Sequence, residues 1–428
     1  MTSNIWACMS VAMLVTAGAW AGGDGPGDTD PAPILEPQDI EDIQEVVREA
    51  LESAHKALRD THGDLREEHR ERIRGGARIQ ASERDEIREG IREVLRESQD
   101  ALRDAGDAVR ELFAQSVPAF HDSIGPMLIP SMTLGESGAG KSRPVDETKP
   151  AAGVNDIQIR NVSGRTIIVG WDQDTINVKG SLGEDVEELI FTTEGSSAEV
   201  RVKVPERHRN MKLQSDLTIS VPKRLRVDGN TVSGGIEASG IDGLRVSLQS
   251  VSGGVNVRAC SGEIQAHTTS GGIEIHDATK AVDAECVSGG IEIYGTPTVV
   301  SAETVSGGVI VEGVQNQVSA ESVSGRVRVR GGKLERFSAE SISGGVEYEG
   351  AMAPGAHFDL STLSGGIRLL FTEEVSAEFD LSSFSGGIEV DLPGAPSSGK
   401  KQLSFKVGNG DASVDAEAFS GGVRVGRK

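Results

Sequence analysis

The sequence predicts a mainly β fold: a right-handed parallel β-solenoid of about 18-residue coils, preceded by an α-helical hairpin or coiled-coil arm. Three observations predict it. A Ser-Gly-Gly-Val/Ile corner returns down the chain, its serines stepping by 19, 18, 18, 18, 18, 19, 21, 21 and 35 residues from Ser233 to Ser420, and a fixed period near 18 is the mark of a stacked repeat. Upstream, apolar residues recur at spacings of three and four, which is helical. The composition sets 54 Gly against 10 Phe, 3 Trp and 2 Tyr, so the core is built from Val, Ile and small residues.

Taken in order, Ile5 to Ala17 is largely apolar and Ala19-Trp20-Ala21 forms an A-x-A cleavage site, the pattern of a signal peptide over residues 1–21. No Lys or Arg precedes the apolar stretch, so an uncleaved segment would act as a membrane anchor. Either way the expectation is export, to the periplasm, the cell surface or the extracellular space. Residues 22–36 are a Gly/Pro/Asp linker.

Residues 37–115 hold two amphipathic runs, the first carrying Ile40, Ile43, Val47, Leu51, Ala54 and Leu58, the second Ile87, Ile91, Val94, Leu95 and Leu102. Their sequences align without gaps over 45–67 and 89–111, sharing Arg48/Arg92, Leu51/Leu95 and an Ala-Leu-Arg-Asp segment. A duplicated apolar stripe needs a partner, hence a hairpin or coiled coil. His55, His62 and His69 lie seven apart, about two turns or roughly 10.5 Å, too far to share one metal.

Residues 116–154 read as a flexible linker rich in Pro, Gly and Ser. Within it Gly135, Gly140, Lys141 and Ser142 match the phosphate-loop pattern G-x-x-x-x-G-K-[ST]. A working loop joins a buried strand to a helix whose N-terminus holds the phosphates. Here Pro126 and Pro130 precede the match, and Arg143-Pro144 and Pro150 follow it, so the match is fortuitous.

Residues 155–428 read as the solenoid. The turn glycines are Gly164, Gly234, Gly253, Gly262, Gly271, Gly289, Gly307, Gly325, Gly344, Gly365, Gly386 and Gly421. This first Gly never varies among the copies, whereas the second gives way to Arg165, Glu263 and Arg326. The first therefore needs positive φ or close backbone approach. The corner after Ser261 is taken in phase with the rest. Strand alternation turns Ile273 and Ile275 inward and Glu274 outward, and buries Val318, Ala320 and Ser322 on the other half-coil. The outward column after the corners runs from Glu237 through Asn256, Gln265, Glu274 and Glu292 to Arg424. The last strand, in "SGGVRVGRK", is expected to expose an edge, leading to end-to-end contacts or to protection by Arg427 and Lys428.

The stretch "DLTISVPKRLRVDGNTVSGGIEASGIDGLRVSLQSVSGGV" (216–255) resembles the bacterial putative-adhesin family of β-strand repeats, marked by a "vP" strand followed by tandem Ser-Gly-Gly turns. The resemblance covers roughly 155–428. It implies an exported β-solenoid and says little about activity, because that family is largely uncharacterised.

Several function classes are excluded. A net charge of -23 opposes nucleic-acid binding, which needs clustered cations. Calcium-binding nonapeptides require G-G-x-G-x-D, and "GGIEIYGTP" (289–297) lacks both the next Gly and the Asp. Cys260 and Cys286 have no metal-ligand spacing and read as buried free thiols. No catalytic, cofactor or metal residues are assigned. The expectation is a non-catalytic envelope or surface protein, with alternatives in envelope-stress or cationic-peptide sensing, self-assembly and, least favoured, a carbohydrate-acting β-helix enzyme. Its partner would be a glycan, a protein or a cationic peptide, with homo-oligomers forming through the helices or the solenoid ends.

Overall fold

The computed structural model describes residues 142–205, 212–396 and 401–428. The signal segment, the helical arm and Gly135, Gly140 and Lys141 lie outside the described residues. Among the described residues every regular element is a strand, and most pairings are parallel between coils.

Each coil has two strands joined at the Ser-Gly corner. The strands entering the corner stack into a wide wall, among them Glu263–Ser270, Val282–Ser288 and Val299–Ser306. Those leaving it stack into a narrow wall, among them Ile273–Ala278, Ile291–Gly295 and Val309–Glu312. Alternation decides which side chains enter the space between the walls. In Val282–Ser288 the inward residues are Val282, Ala284 and Cys286, and in Ile291–Gly295 they are Ile291 and Ile293. Register follows from coil length, so like stacks on like: Ala266, Ala284, Ala302, Ala320 and Ala339 form one column. A one-residue slip would turn every such column to solvent. Burying each Val or Ile contributes about 1.5–3 kcal/mol.

Strands Val327–Ser341 and Val346–Thr362 run through the far corner and supply both walls. Here the coils lengthen and the core takes aromatics. Phe337, Tyr348, Phe358, Phe371 and Phe379 are buried, their rings meeting mostly tilted or edge-on at 5.1–6.4 Å, an attractive arrangement. Tyr348 keeps its phenol satisfied by donating to the Ala351 carbonyl at 2.6 Å.

The ends depart from sequence order. Strand Asp156–Ser163 lies between Ser197–Lys203 and Arg226–Ser233, so the first coil is second from the end. Antiparallel strands finish this end: Glu188–Glu194 on the wide wall, then Thr175–Leu182 and Arg143–Pro150 on the narrow wall. The rod thus begins at Arg143, which corrects the linker boundary at 154. Prolines at both ends of Arg143–Pro150 are tolerated because it is an edge strand. At the other end, Ala412–Ala418 inserts between Val346–Thr362 and Ala377–Ser383, and Val423–Arg427 between Ile367–Phe371 and Ile388–Asp391. The expected exposed edge on the last strand is therefore overturned, since both its sides are paired. Arg427 instead approaches Glu374 at 3.8 Å, and Lys428 pairs with Glu349.

Candidate functional site

The corner glycines form a continuous spine. A Cβ on Gly307 would fall inside the carbonyl oxygen of Gly289, and one on Gly325 inside that of Gly307. The same overlap follows the spatial order of the coils, from Gly365 to Gly421 to Gly386. Close approach is thus the common requirement along the spine, with clear positive φ added at Gly164 (+101°). Gly262 belongs elsewhere. Ser261 N–H donates to the Ile241 carbonyl at 3.0 Å, and a Cβ on Gly262 would strike Gly243, which places this pair at the opposite corner, out of phase with the others. Gln265 accordingly sits on the wide wall, in register with Ser247 and Asp283. Both points correct the sequence reading, which took Ser261-Gly262 as one more copy of the main corner.

Beside the spine runs a buried ladder that the sequence reading did not identify. Two residues before most corner serines from Ser270 onward, a hydroxyl donates to the first-glycine carbonyl of the preceding coil: Thr268 to Gly253 at 2.9 Å, Thr304 to Gly289 at 3.0 Å, Ser322 to Gly307 and Ser341 to Gly325 at 2.9 Å. Cys286 takes one rung, its Sγ 3.0 Å from Gly271 O. Burial pushes that thiol up to about 12. Cys260 is also buried and free. A small polar residue at a fixed offset from most Ser-Gly corners was the signal available in the sequence.

Ser142 is exposed and leads directly into Arg143–Pro150. An edge strand stands where a phosphate loop needs a helix, so Ser142 has no helix N-terminus to share with a phosphate.

The outer side of the narrow wall carries the most organised polar array. Asn256, Glu274 and Glu292 occupy one column in register across three strands. Glu274 accepts from Asn256 Nδ2 at 2.9 Å and meets His276 Nε2 at 2.5 Å. Arg258 donates to Asn256 Oδ1 at 2.9 Å. The His276 hydrogen bond, helped by the charge of Arg258, holds the Glu274 carboxyl below its ordinary range. His276 stacks on Tyr294 with centroids 5.0 Å apart. Tyr294 donates to Glu292 at 2.8 Å, and that bond pushes its phenol up, with partial burial and nearby carboxylates adding to it.

A bulge shapes this patch. Pairing of Ile273–Ala278 with Ile291–Gly295 shifts after Ile275, and Asp277 is left-handed at φ +59°. The matching corner residue is Gly240 (+67°) two coils earlier, Ala259 (+51°) one coil earlier, and Gly313 (+89°) two coils later. A carboxylate therefore sits where glycine is the easier choice, and bulges of this kind re-aim side chains.

The wide wall presents a second feature. Glu285, Glu303, Glu321 and Glu340 lie in register on neighbouring strands, with His267 Nδ1 3.0 Å from Glu285 at one end. Such a column concentrates negative potential on one face.

Residues 296–426 match the Toastrack DUF4097 family, a domain of unknown function. The match covers just under a third of the chain. It spans the C-terminal part of the stack, while the same corner spine runs back to Gly164. Among solved structures, a putative cell adhesion protein from Clostridium sporogenes shares 12% identity over 67% of this chain and 100% of its own, with a TM-score of 0.16. A putative lipid binding protein from Parabacteroides distasonis shares 14% over 67% and 98%, with a TM-score of 0.35. A putative adhesin from Bacteroides fragilis shares 9% over 66% and 97%, with a TM-score of 0.29. Likenesses with such scores carry no weight for function. No curated protein matches the chain.

Proposed function

We propose that the chain is an exported, non-catalytic envelope or surface protein whose Toastrack rod is a binding scaffold, with the patch around His276 and Tyr294 as its contact surface. The observation that carries this reading is that the polar groups of the patch hold one another. Glu274 fixes His276 and Asn256, and Glu292 fixes Tyr294. Groups locked in this way present a preorganised surface.

The signal-like sequence of residues 1–21 supports export, and the duplicated amphipathic sequence of 37–115 would serve as stalk or oligomeriser. A second reading, capture of a cationic peptide, is favoured by the Glu285–Glu340 column.

The test uses the full mature chain on a glycan array and in capture from envelope extracts, beside Tyr294→Ala and Glu292→Gln. A specific partner lost about tenfold or more in both variants, roughly 1.4 kcal/mol, is the expected result. Capture indifferent to both variants but abolished by 0.5 M salt points to the glutamate column. Hydrolysis of any bound polysaccharide would overturn the non-catalytic assignment.

A further inference from the structure

The order of the coils near the C-terminus points to a binding slot beyond that surface reading. Residues 412–427 lie between the coils of 356–371 and 377–391, although they follow both in sequence. We infer that this coil is removable, and that the slot it occupies accepts the same coil from a second copy of this chain.

The two walls of the slot match each other without the inserted coil. "AHFDLSTLSGGI" (356–367) and "AEFDLSSFSGGI" (377–388) agree at nine of twelve positions. Closed directly, they would stack Phe358 on Phe379, Leu360 on Leu381 and Gly365 on Gly386, the like-on-like register of the rest of the rod. Two joints improve on closure. Ala418 stands at a ladder position and offers no hydroxyl to Gly365, whereas Ser383, which now donates to Gly421 at 2.8 Å, would reach that carbonyl. Arg424 now lies in register with Arg368, a like-charge neighbour, which is unfavourable across strands. Closure would set Arg368 opposite Glu389.

Against closure stand the buried Val414, Ala416, Val423 and Val425 and the ion pair of Arg424 with Glu389. Two packings of one sequence that trade these terms would make a bistable element. The lead into the coil, residues 408–411, carries left-handed Gly408 (+62°) and Gly410 (+69°), which suit a hinge. The occupant is selected by shape. A Cβ on Gly421 would overlap the Gly365 carbonyl and one on Gly386 the Gly421 carbonyl, so the guest needs glycine at that point and small residues beside it. This chain's own coil has both.

Disulfide trapping in the full chain, with Cys8, Cys260 and Cys286 changed to Ser, tests the idea. Arg368→Cys with Glu389→Cys spans two strand spacings in the inserted state, about 9.5 Å, beyond the roughly 7 Å limit for a bridge. Closure makes the two positions neighbours. The expected result is that this pair cross-links on mild warming. The cross-linked chain, carrying one fluorophore, should then form dimers with unmodified chain carrying a second, so that both fluorophores sediment together. Arg368→Cys with Arg424→Cys reports the inserted state.

A 368/424 pair that bridges fully while the 368/389 pair keeps free thiols overturns the removable coil. Cross-linked chain that forms no dimer when mixed with unmodified chain at any concentration overturns the second-copy partner. Should the cysteine variants fail to fold, hydrogen exchange on the unmodified chain decides. Amides of 412–427 are expected to exchange about tenfold faster than those of 357–371, which is local opening, and equal protection overturns the proposal.

Discussion

At the residue scale, the spine and its ladder explain why two adjacent glycines of each corner differ. Gly307 has the Gly289 carbonyl where a Cβ would sit, whereas Gly387, a second-position glycine, has nothing within 4 Å. Gly307→Ala is therefore expected to lower stability by about 2 kcal/mol or more through overpacking, and Gly387→Ala to stay within roughly 0.5 kcal/mol. Urea midpoints of the two variants check the contrast. Cys286 gives a second expectation. Its folded pKa is raised to about 12 from 9, so the stability it contributes is complete below pH 9 and declines as pH rises from there toward 12. The unfolding midpoint should fall between pH 9 and 11 in the native sequence and fall less in Cys286→Ser. Ala259, left-handed at +51°, predicts a gain: Ala259→Gly should stabilise by roughly 1 kcal/mol, because an L side chain is strained there. The corner glycines were legible in the sequence because they repeat. The ladder was not, because alternation turns Ser322 inward without showing that its hydroxyl meets the Gly307 carbonyl one coil away.

At the element scale, the outermost strands show how the rod limits edge pairing. Arg143 reaches the carbonyls of Val186 and Glu187, and Lys149 that of Phe191, on or beside the outermost strand of the wide wall. Cations over an edge are a known defence against further strand addition. The double variant Arg143→Ala/Lys149→Ala should self-associate more readily than the native chain. Sedimentation across a concentration series checks this, and an unchanged monomer would sink it. Strand Arg143–Pro150 itself was not legible, since "RPVDETKP" has no apolar alternation and gains its conformation from pairing with Thr175–Leu182. Gln265 was misplaced for a related reason. A nine-residue half-step shows that a corner exists but not which of the two corners it is.

At the scale of the whole molecule, each coil touches its neighbours, so stability is close to a nearest-neighbour sum. A second copy of residues 289–306 inserted after Ser306 keeps Gly307 above a Ser-Gly-Gly corner. It should leave the strand circular dichroism intact with an equal or higher urea midpoint, whereas a nine-residue insertion there should lower the midpoint sharply. The sequence by itself determined the period, the corners, which strand residues face inward, and the resemblance that the Toastrack match over 296–426 supports. Only the tertiary structure decided the order of the coils at the two ends, with residues 156–171 and 412–427 each second from an end. The physical reason lies in the repeat itself. Every coil offers the same row of backbone donors and acceptors and the same Ser-Gly corner, so local pattern specifies what a coil stacks on but not which copy it meets. That choice falls to the few positions where copies differ, such as Arg424 against Glu389, and to the antiparallel strands that close each end.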